Sequence, residues 1–388
     1  MNYNNFLSDK VQSIKPSGIR KFFDIVTEME DAVSLGVGEP DFVTPWHIRE
    51  SGIVSLEKGS THYTSNKGLI ELRRAISDYM FRRFRLDYDY NSQILVTVGG
   101  SEGIDQCIRA LVNPGDEVLI PEPSFVCYSP LTVLAGGVPV GIKTLAKDNF
   151  KLTPEALKAA ITPKTKLLIL PYPNNPTGGI MTKSDLEKIA EVLKDTNVFI
   201  LSDEIYGELT YTDTPHVSIA SIPGMYERTV IVNGFSKTYA MTGWRLGYVT
   251  GPKEIIDAMT KIHQYAIMSA PTTSQYAAVA ALNDGDEDIK RMKEEYNGRR
   301  RLVVNSFRNI GLDCFEPEGA FYVFPSIAIT GMKSEEFCEK LLYEKKVAVV
   351  PGNAFGESGE GFFRASYCYS VENLQKAISL IDEFVNKK

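Results

Sequence analysis

The stretch "RTVIVNGFSKTYAMTGWRLGYVTG" (Arg228–Gly251) decides the fold. It opens on a continuous β-branched run, "RTVIVNGFSK", and closes on a shorter one, "WRLGYVTG". Between them Lys237 and Arg245, eight residues apart, stand among small and aromatic residues. An apolar run without alternation predicts a strand buried on both faces, as in a parallel sheet covered by helices. "QILVTV" (Gln93–Val98), "DEVLIP" (Asp116–Pro121), "KLLILPYP" (Lys166–Pro173) and "NVFILSDEIY" (Asn197–Tyr206) repeat that signal. "GGSEGIDQCIRALV" and "KSDLEKIAEVLKD" lie between such runs with apolar residues at helical spacing. The expected class is α/β, a mostly parallel mixed sheet between helices.

After about Ala280 the pattern changes. A long charged amphipathic helix, "DEDIKRMKEEYNGRRRLVVNSFRNIG", precedes "GAFYVFPSI", the helix "SEEFCEKLLYEKK", the strands "VAVVPG" and "GFFRASYCY", and the closing helix "VENLQKAISLIDEFVNKK". This reads as a smaller α+β domain. The first 44 residues are too short to fold alone and are expected to pack on it. The predicted division is a large domain over 45–280 and a small one made of 1–44 and 281–388.

The chain has 388 residues, 43% hydrophobic and 23% charged, with a formal net charge of −7. A general binder of nucleic acid or of an anionic membrane carries a basic surplus, so neither is expected as a partner. No apolar run approaches the ~20 residues of a membrane helix. "MNYNNFLSDK" lacks a signal-peptide pattern, so a cytoplasmic protein is expected. Five scattered cysteines and four histidines show neither C-x-x-C nor metal-ligand spacing, and no metal site is expected.

In open α/β sheets ligands bind beyond the carboxyl ends of the strands. Four such ends carry polar residues: Gly99-Gly100-Ser101-Glu102, Asn174-Asn175-Pro176-Thr177-Gly178-Gly179, Asp203-Glu204-Ile205-Tyr206, and Ser236-Lys237. Each alone is an ordinary loop: an Asn before Pro turns a chain, an Asp after a strand caps a helix. Together they match one chemistry. A lysine held deprotonated forms a Schiff base with an aldehyde. A phosphate needs an anion cradle at a glycine turn. A pyridine ring used as an electron sink needs a carboxylate at its nitrogen and donors at its oxygen. That set describes pyridoxal 5′-phosphate.

"PYPNNPTGG", "SDEIY", "SKTYAMTGWRLGY" and "FFRASYCY" resemble, in order and spacing, the motifs of class I/II aminotransferases, fold-type I enzymes dependent on pyridoxal phosphate. The similarity runs from "SLGVGEPDF" (Ser34–Phe42) to the last helix. "SGIRKFFDI" (Ser17–Ile25) fits the branch with aspartate, aromatic and N-acetyl-diaminopimelate aminotransferases. The resemblance implies that Lys237 holds the cofactor and shifts the substrate proton, that Asp203 partners the ring nitrogen, and that Tyr206 and Asn175 donate to the ring oxygen. It implies a phosphate site of Gly100, Ser101, Glu102, Ser236 and Arg245, with Phe125 against the ring and Tyr63 reaching the phosphate of a neighbouring subunit. It therefore also implies a homodimer with shared sites. Arg364 and Gly38, with Asn175, are implied to hold the substrate carboxylate, and Pro123 and Pro176 to succeed cis bonds. "GVGEPD" lacks the third glycine of a dinucleotide fingerprint and is not read as one.

The activity implied is ping-pong Schiff-base transfer of an amino group between an L-amino acid and a 2-oxo acid, with glutamate and 2-oxoglutarate as one couple. A C–S β-lyase on the same fold is the alternative, and a non-catalytic regulatory domain a third reading. For the side-chain pocket, Arg20 and Lys15 are candidate cations, and Tyr128, His263 and Tyr265 candidate aromatic walls.

Overall fold

The computed structural model describes residues 1, 3–16, 18, 29 and 31–386. Its centre is a seven-stranded sheet. In chain order the strands are β1 (Ile94–Thr97), β2 (Glu117–Glu122), β3 (Val138–Lys143), β4 (Thr165–Leu170), β5 (Phe199–Asp203), β6 (Thr229–Gly234) and β7 (Gly247–Thr250). Their spatial order is β1-β7-β6-β5-β4-β2-β3. β2, β3, β4, β5 and β6 pair in parallel, while β7 runs antiparallel to both β1 and β6. Six strands therefore point one way, and their carboxyl ends share one edge. Every residue of β1 and β6 is buried, which is why these strands read as unbroken apolar runs.

β3 was not apparent in the sequence. Pro139 and Gly141 interrupt its pattern, and it lies at the sheet edge with much of its surface exposed. The helices of the sheet include α1 (Trp46–Glu57), α2 (Ile70–Phe84), α3 (Gly99–Leu111), α4 (Tyr128–Ala135), α5 (Lys183–Leu193), α6 (Phe235–Thr238), α7 (Lys253–Ala266) and α8 (Thr272–Asp284). α5 starts with a capping box, in which Thr182 and Asp185 satisfy each other's backbone N–H groups.

The smaller body holds α9 (Asp286–Asn309), α10 (Ser334–Lys345), α11 (Val371–Val385) and a three-stranded antiparallel sheet of β8 (Tyr322–Val323), β9 (Val350–Pro351) and β10 (Phe363–Ser366). Phe307, Phe337, Leu341, Phe363 and Ile381 form its core, joined by Leu35 from the N-terminal segment and Tyr206 from the sheet edge. Val33–Ser34 pairs in parallel with Val347–Ala348 and Arg299 holds Asp41 at 2.8 Å, while Thr44 donates to the Ala240 carbonyl of the larger body. Farther back, Lys10 instead donates to the carbonyl of Leu134 on α4. Residue 280 falls inside α8, whose Ala281 and Leu282 still pack with α2 residues such as Ile76. Among the described residues no helix is long and apolar enough to cross a membrane.

Candidate active site

The carboxyl edge of the sheet opens onto a cavity of about 300 Å³. β6 runs directly into the single turn α6, which carries Lys237 into that cavity. Its Nζ donates to the carbonyl of Gly38 at 2.7 Å and stands 5.8 Å from the Phe321 ring centre. Burial pushes its pKa down to about 8, against the pull of Cys368 and Glu39 and with help from the Arg364 and Arg245 charges.

Asp203 ends β5 and is 7% exposed. Its Oδ2 accepts from the Tyr128 hydroxyl at 2.7 Å and its Oδ1 from the Ile205 N–H at 3.2 Å. Burial nevertheless raises its pKa to about 6. Among the described residues no cation pairs with it, so it is a buried carboxylate facing a cavity with a place left for a positive partner.

The loop after β4 uses its two asparagines differently. Asn174 accepts from the Thr177 N–H and hydroxyl and closes the turn. That frees Asn175, whose Oδ1 accepts from Arg364 Nη1 at 2.9 Å. Arg364 also donates to the Gly36 carbonyl and lies over the rings of Tyr322 and Phe355, at 4.5 and 4.8 Å. It is 3% exposed, its Nε is buried without a partner, and no carboxylate among the described residues neutralises it. A guanidinium held by neutral oxygens and ring faces is prepared for an anion. Tyr206, pushed well above its ordinary pKa by burial, meets the Tyr322 hydroxyl at 2.9 Å.

At the cavity's other end β1 stops at Thr97 and α3 begins at Gly99. The first N–H groups of α3 have no intrahelical acceptor. Gly99 has φ +76°, and a Cβ there would lie 2.8 Å from Arg245 Nη2. The glycine thus lets the guanidinium settle against the turn. Gly100, Ser101, Ser236 and Arg245 line this end, and Phe125 borders the cavity with Tyr128 edge-on at 6.0 Å.

The Glu102 side chain does not face the cavity: it folds back to accept from the Val98 N–H, Gln106 and His263, leaving only its backbone at the turn. His263 is fully buried against Glu102 and Tyr265 is 87% exposed, so neither walls a side-chain pocket. Tyr128 lines the cavity, but as the partner of Asp203. Lys15 is exposed, and Arg20, with nearly all of "SGIRKFFDI", lies outside the described residues. Tyr63 is 81% exposed and outside this chain's own cavity. Pro123 and Pro176 succeed cis bonds, as does Pro173. Tyr322, which joins Tyr206 to Arg364, escaped the sequence analysis because "GAFYVFPSI" signals only a strand. A more open groove of about 810 Å³, bordered by Arg300, Arg308 and Phe324, shares no residue with the cavity. Among the described residues no cluster of His, Cys, Asp and Glu gathers as a metal would require.

Comparisons with known proteins agree with this geometry. The family model "Aminotransferase class I and II" matches residues 30–381. An aspartate aminotransferase of Pyrococcus abyssi is 46% identical over 98% of this chain and 99% of its own length. Aromatic-amino-acid aminotransferase 2 of Thermococcus litoralis is 44% identical over 98% of this chain and 99% of its own length. The structure of the Thermus thermophilus aspartate aminotransferase with maleate superposes with a TM-score of 0.93 at 37% identity, covering 97% of this chain and 99% of that one.

Proposed function

The chain belongs to the class I and II aminotransferases, and from that premise we propose how its residues divide the work of transamination. It is a pyridoxal-phosphate-dependent enzyme that moves an amino group between an amino acid and a 2-oxo acid. The observation that carries the residue assignments is the meeting, in one cavity, of the Lys237 amine, an unpaired Asp203 carboxylate and an unpaired Arg364 guanidinium.

The cofactor fits these residues. Asp203 would hold the ring nitrogen, Tyr206 and Asn175 the ring oxygen, and Phe125 a ring face. Gly100, Ser101, Ser236, Arg245 and the backbone of Glu102 would hold the phosphate. When bound, the cofactor supplies a ring that accepts the electron pair left as the substrate Cα loses its proton.

Lys237 has two duties. Because burial sets its pKa near 8, an appreciable fraction of the amine is neutral at neutral pH, the form that would hold the cofactor aldehyde. The same Nζ would serve as the base that removes the proton from the substrate Cα and delivers it to the cofactor's C4′. Asp203, anchored by Tyr128, would supply a negative charge to the ring nitrogen. Arg364 grips the α-carboxylate with its planar fork, beside Asn175 and the Gly38 backbone. The strap through Gly38, whose carbonyl accepts from Lys237, shields the amine from water.

Glutamate and 2-oxoglutarate form one couple in this reading. The second substrate is an acidic or aromatic amino acid, in line with the names of the relatives. The functional unit is a homodimer in the cytoplasm, with Tyr63 offered to the partner's phosphate. Exposed Trp46, Ile53 and Leu56, along one stripe of α1, support a covered face there. The smaller body that begins with α9, with the segment around Leu35 that packs on it, acts as the unit that closes over the substrate. A screen of amino donors against 2-oxoglutarate, identifying each 2-oxo acid formed, tests the substrate assignment. Absence of glutamate with every donor would refute that couple.

A further inference from the structure

We propose that His263 is a positioning residue for the cofactor phosphate, acting through Glu102. The inference rests on the reading that the turn at Gly100 and Ser101 holds that phosphate.

Glu102 lies in the first turn of α3. There a free carboxylate would share the anion site with the backbone N–H groups and oppose a phosphate. Its side chain is instead drawn back by three donors. The Val98 N–H reaches Oε2, while Gln106 Nε2 and His263 Nδ1 both reach Oε1, His263 at 2.8 Å. Val98 succeeds β1, Gln106 lies one turn along α3, and His263 belongs to the last turn of α7. Three segments thus converge on one carboxylate, whose side chain is 12% exposed.

The arrangement is not explained by packing alone. His263 is wholly buried and its Nε2 has no partner; Gln106 Oε1 is likewise unpaired. A buried polar atom left unsatisfied costs stability, and an aliphatic residue would remove that cost. What the imidazole provides is the proton on Nδ1, which faces the carboxylate and donates to it. Gln106 Nε2, 3.3 Å from Nδ1, is turned to the same oxygen and cannot substitute for the ring. Without His263 the carboxylate keeps two donors, and its charge is freed toward the cleft where the phosphate binds.

The test is titration of the cofactor-free full-length protein with pyridoxal 5′-phosphate and, in parallel, with pyridoxal, which has no phosphate. His263→Leu should weaken the phosphate form by about tenfold, the scale of one hydrogen bond to a charged group, and leave pyridoxal binding unchanged. His263→Asn, whose Nδ2 takes the place of Nδ1, should restore the affinity. In a Glu102→Gln background His263→Leu should have no effect, because the charge it controls is gone. If the leucine variant is insoluble, His263→Phe fills the space without a donor and carries the same test. Equal losses for both ligands, no loss for either, or an asparagine variant no better than leucine would overturn the proposal. An unmodified protein that binds the two ligands equally well would instead overturn the phosphate assignment beneath it.

Discussion

Lys237 and Asp203 are pushed in opposite directions by the same burial, the amine down to about 8 and the acid up to about 6. Both are therefore costly charges to bury, and each makes a prediction. Capture of cofactor by the cofactor-free protein needs the neutral amine, so its rate should rise as pH passes through about 8 and level off above; a rate still climbing toward the ordinary lysine value of 10.5 would contradict this. Lys237→Ala should lower transamination by at least about 10²-fold while leaving the fold intact, checked by turnover and circular dichroism. For Asp203 the folded pKa lies above the unfolded 3.8. The folded chain then holds its proton longer, and stability is lost as pH rises from 3.8 through about 6. Asp203→Asn removes that loss. The variant should gain stability relative to the parent across that window while losing activity, measured by denaturant unfolding at several pH values. A difference that stays flat with pH would contradict the buried-carboxylate account.

At the scale of elements, the legible residues were those just past the end of a strand. Lys237, Asp203, Tyr206, Asn175 and the Gly100 turn each stand within a few residues of such an end, so one rule gathered them. Tyr322 reaches Tyr206 only through tertiary packing and nothing local in the chain marks it, while Tyr128, named as a pocket wall, showed no sign of its bond to Asp203. The turning of the Glu102 side chain back to the Val98 N–H was not legible, because sequence position fixes where a backbone goes and not which way a side chain turns. β3 stayed hidden because Pro139 and Gly141 are tolerated at an edge but erase the strand signal. The junction of β1 and α3 gives the prediction at this scale. Gly99→Ala meets both a positive φ and the Arg245 guanidinium, so cofactor affinity should fall by about tenfold. Unchanged affinity in a fluorescence titration would mean that Arg245 does not depend on that turn.

For the whole molecule, the shared-site reading makes a prediction no single-chain variant can. A Lys237→Ala chain still offers an intact Tyr63, and a Tyr63→Ala chain still has an intact Lys237. Mixed dimers of the two should regain one site of unmodified cofactor affinity per dimer. The same mixture would stay at the level of its separate parents if Tyr63 served its own subunit. The change of pattern near Ala280 was legible in the sequence. The continuation of the large body's packing to Leu282 was not, because Ala281 and Leu282 meet residues such as Ile76 only through tertiary contact.

Gly234 and Gly247 pair directly at the base of the segment that carries Lys237 and Arg245. A Cβ on Gly247 would fall 2.7 Å from the Gly100 nitrogen, so this base rests backbone to backbone on the start of α3. The segment is thus a calliper closed at its hinge, with a nucleophile on one jaw and an anion fork on the other. Its opening helps set the length of molecule held between Lys237 and Arg245, together with the Gly100 turn on which its base rests. An insertion of one residue between Thr238 and Trp244 would regauge the jaws and select a cofactor analogue with a longer phosphate arm, while the same insertion in the β3 edge would leave the gauge untouched.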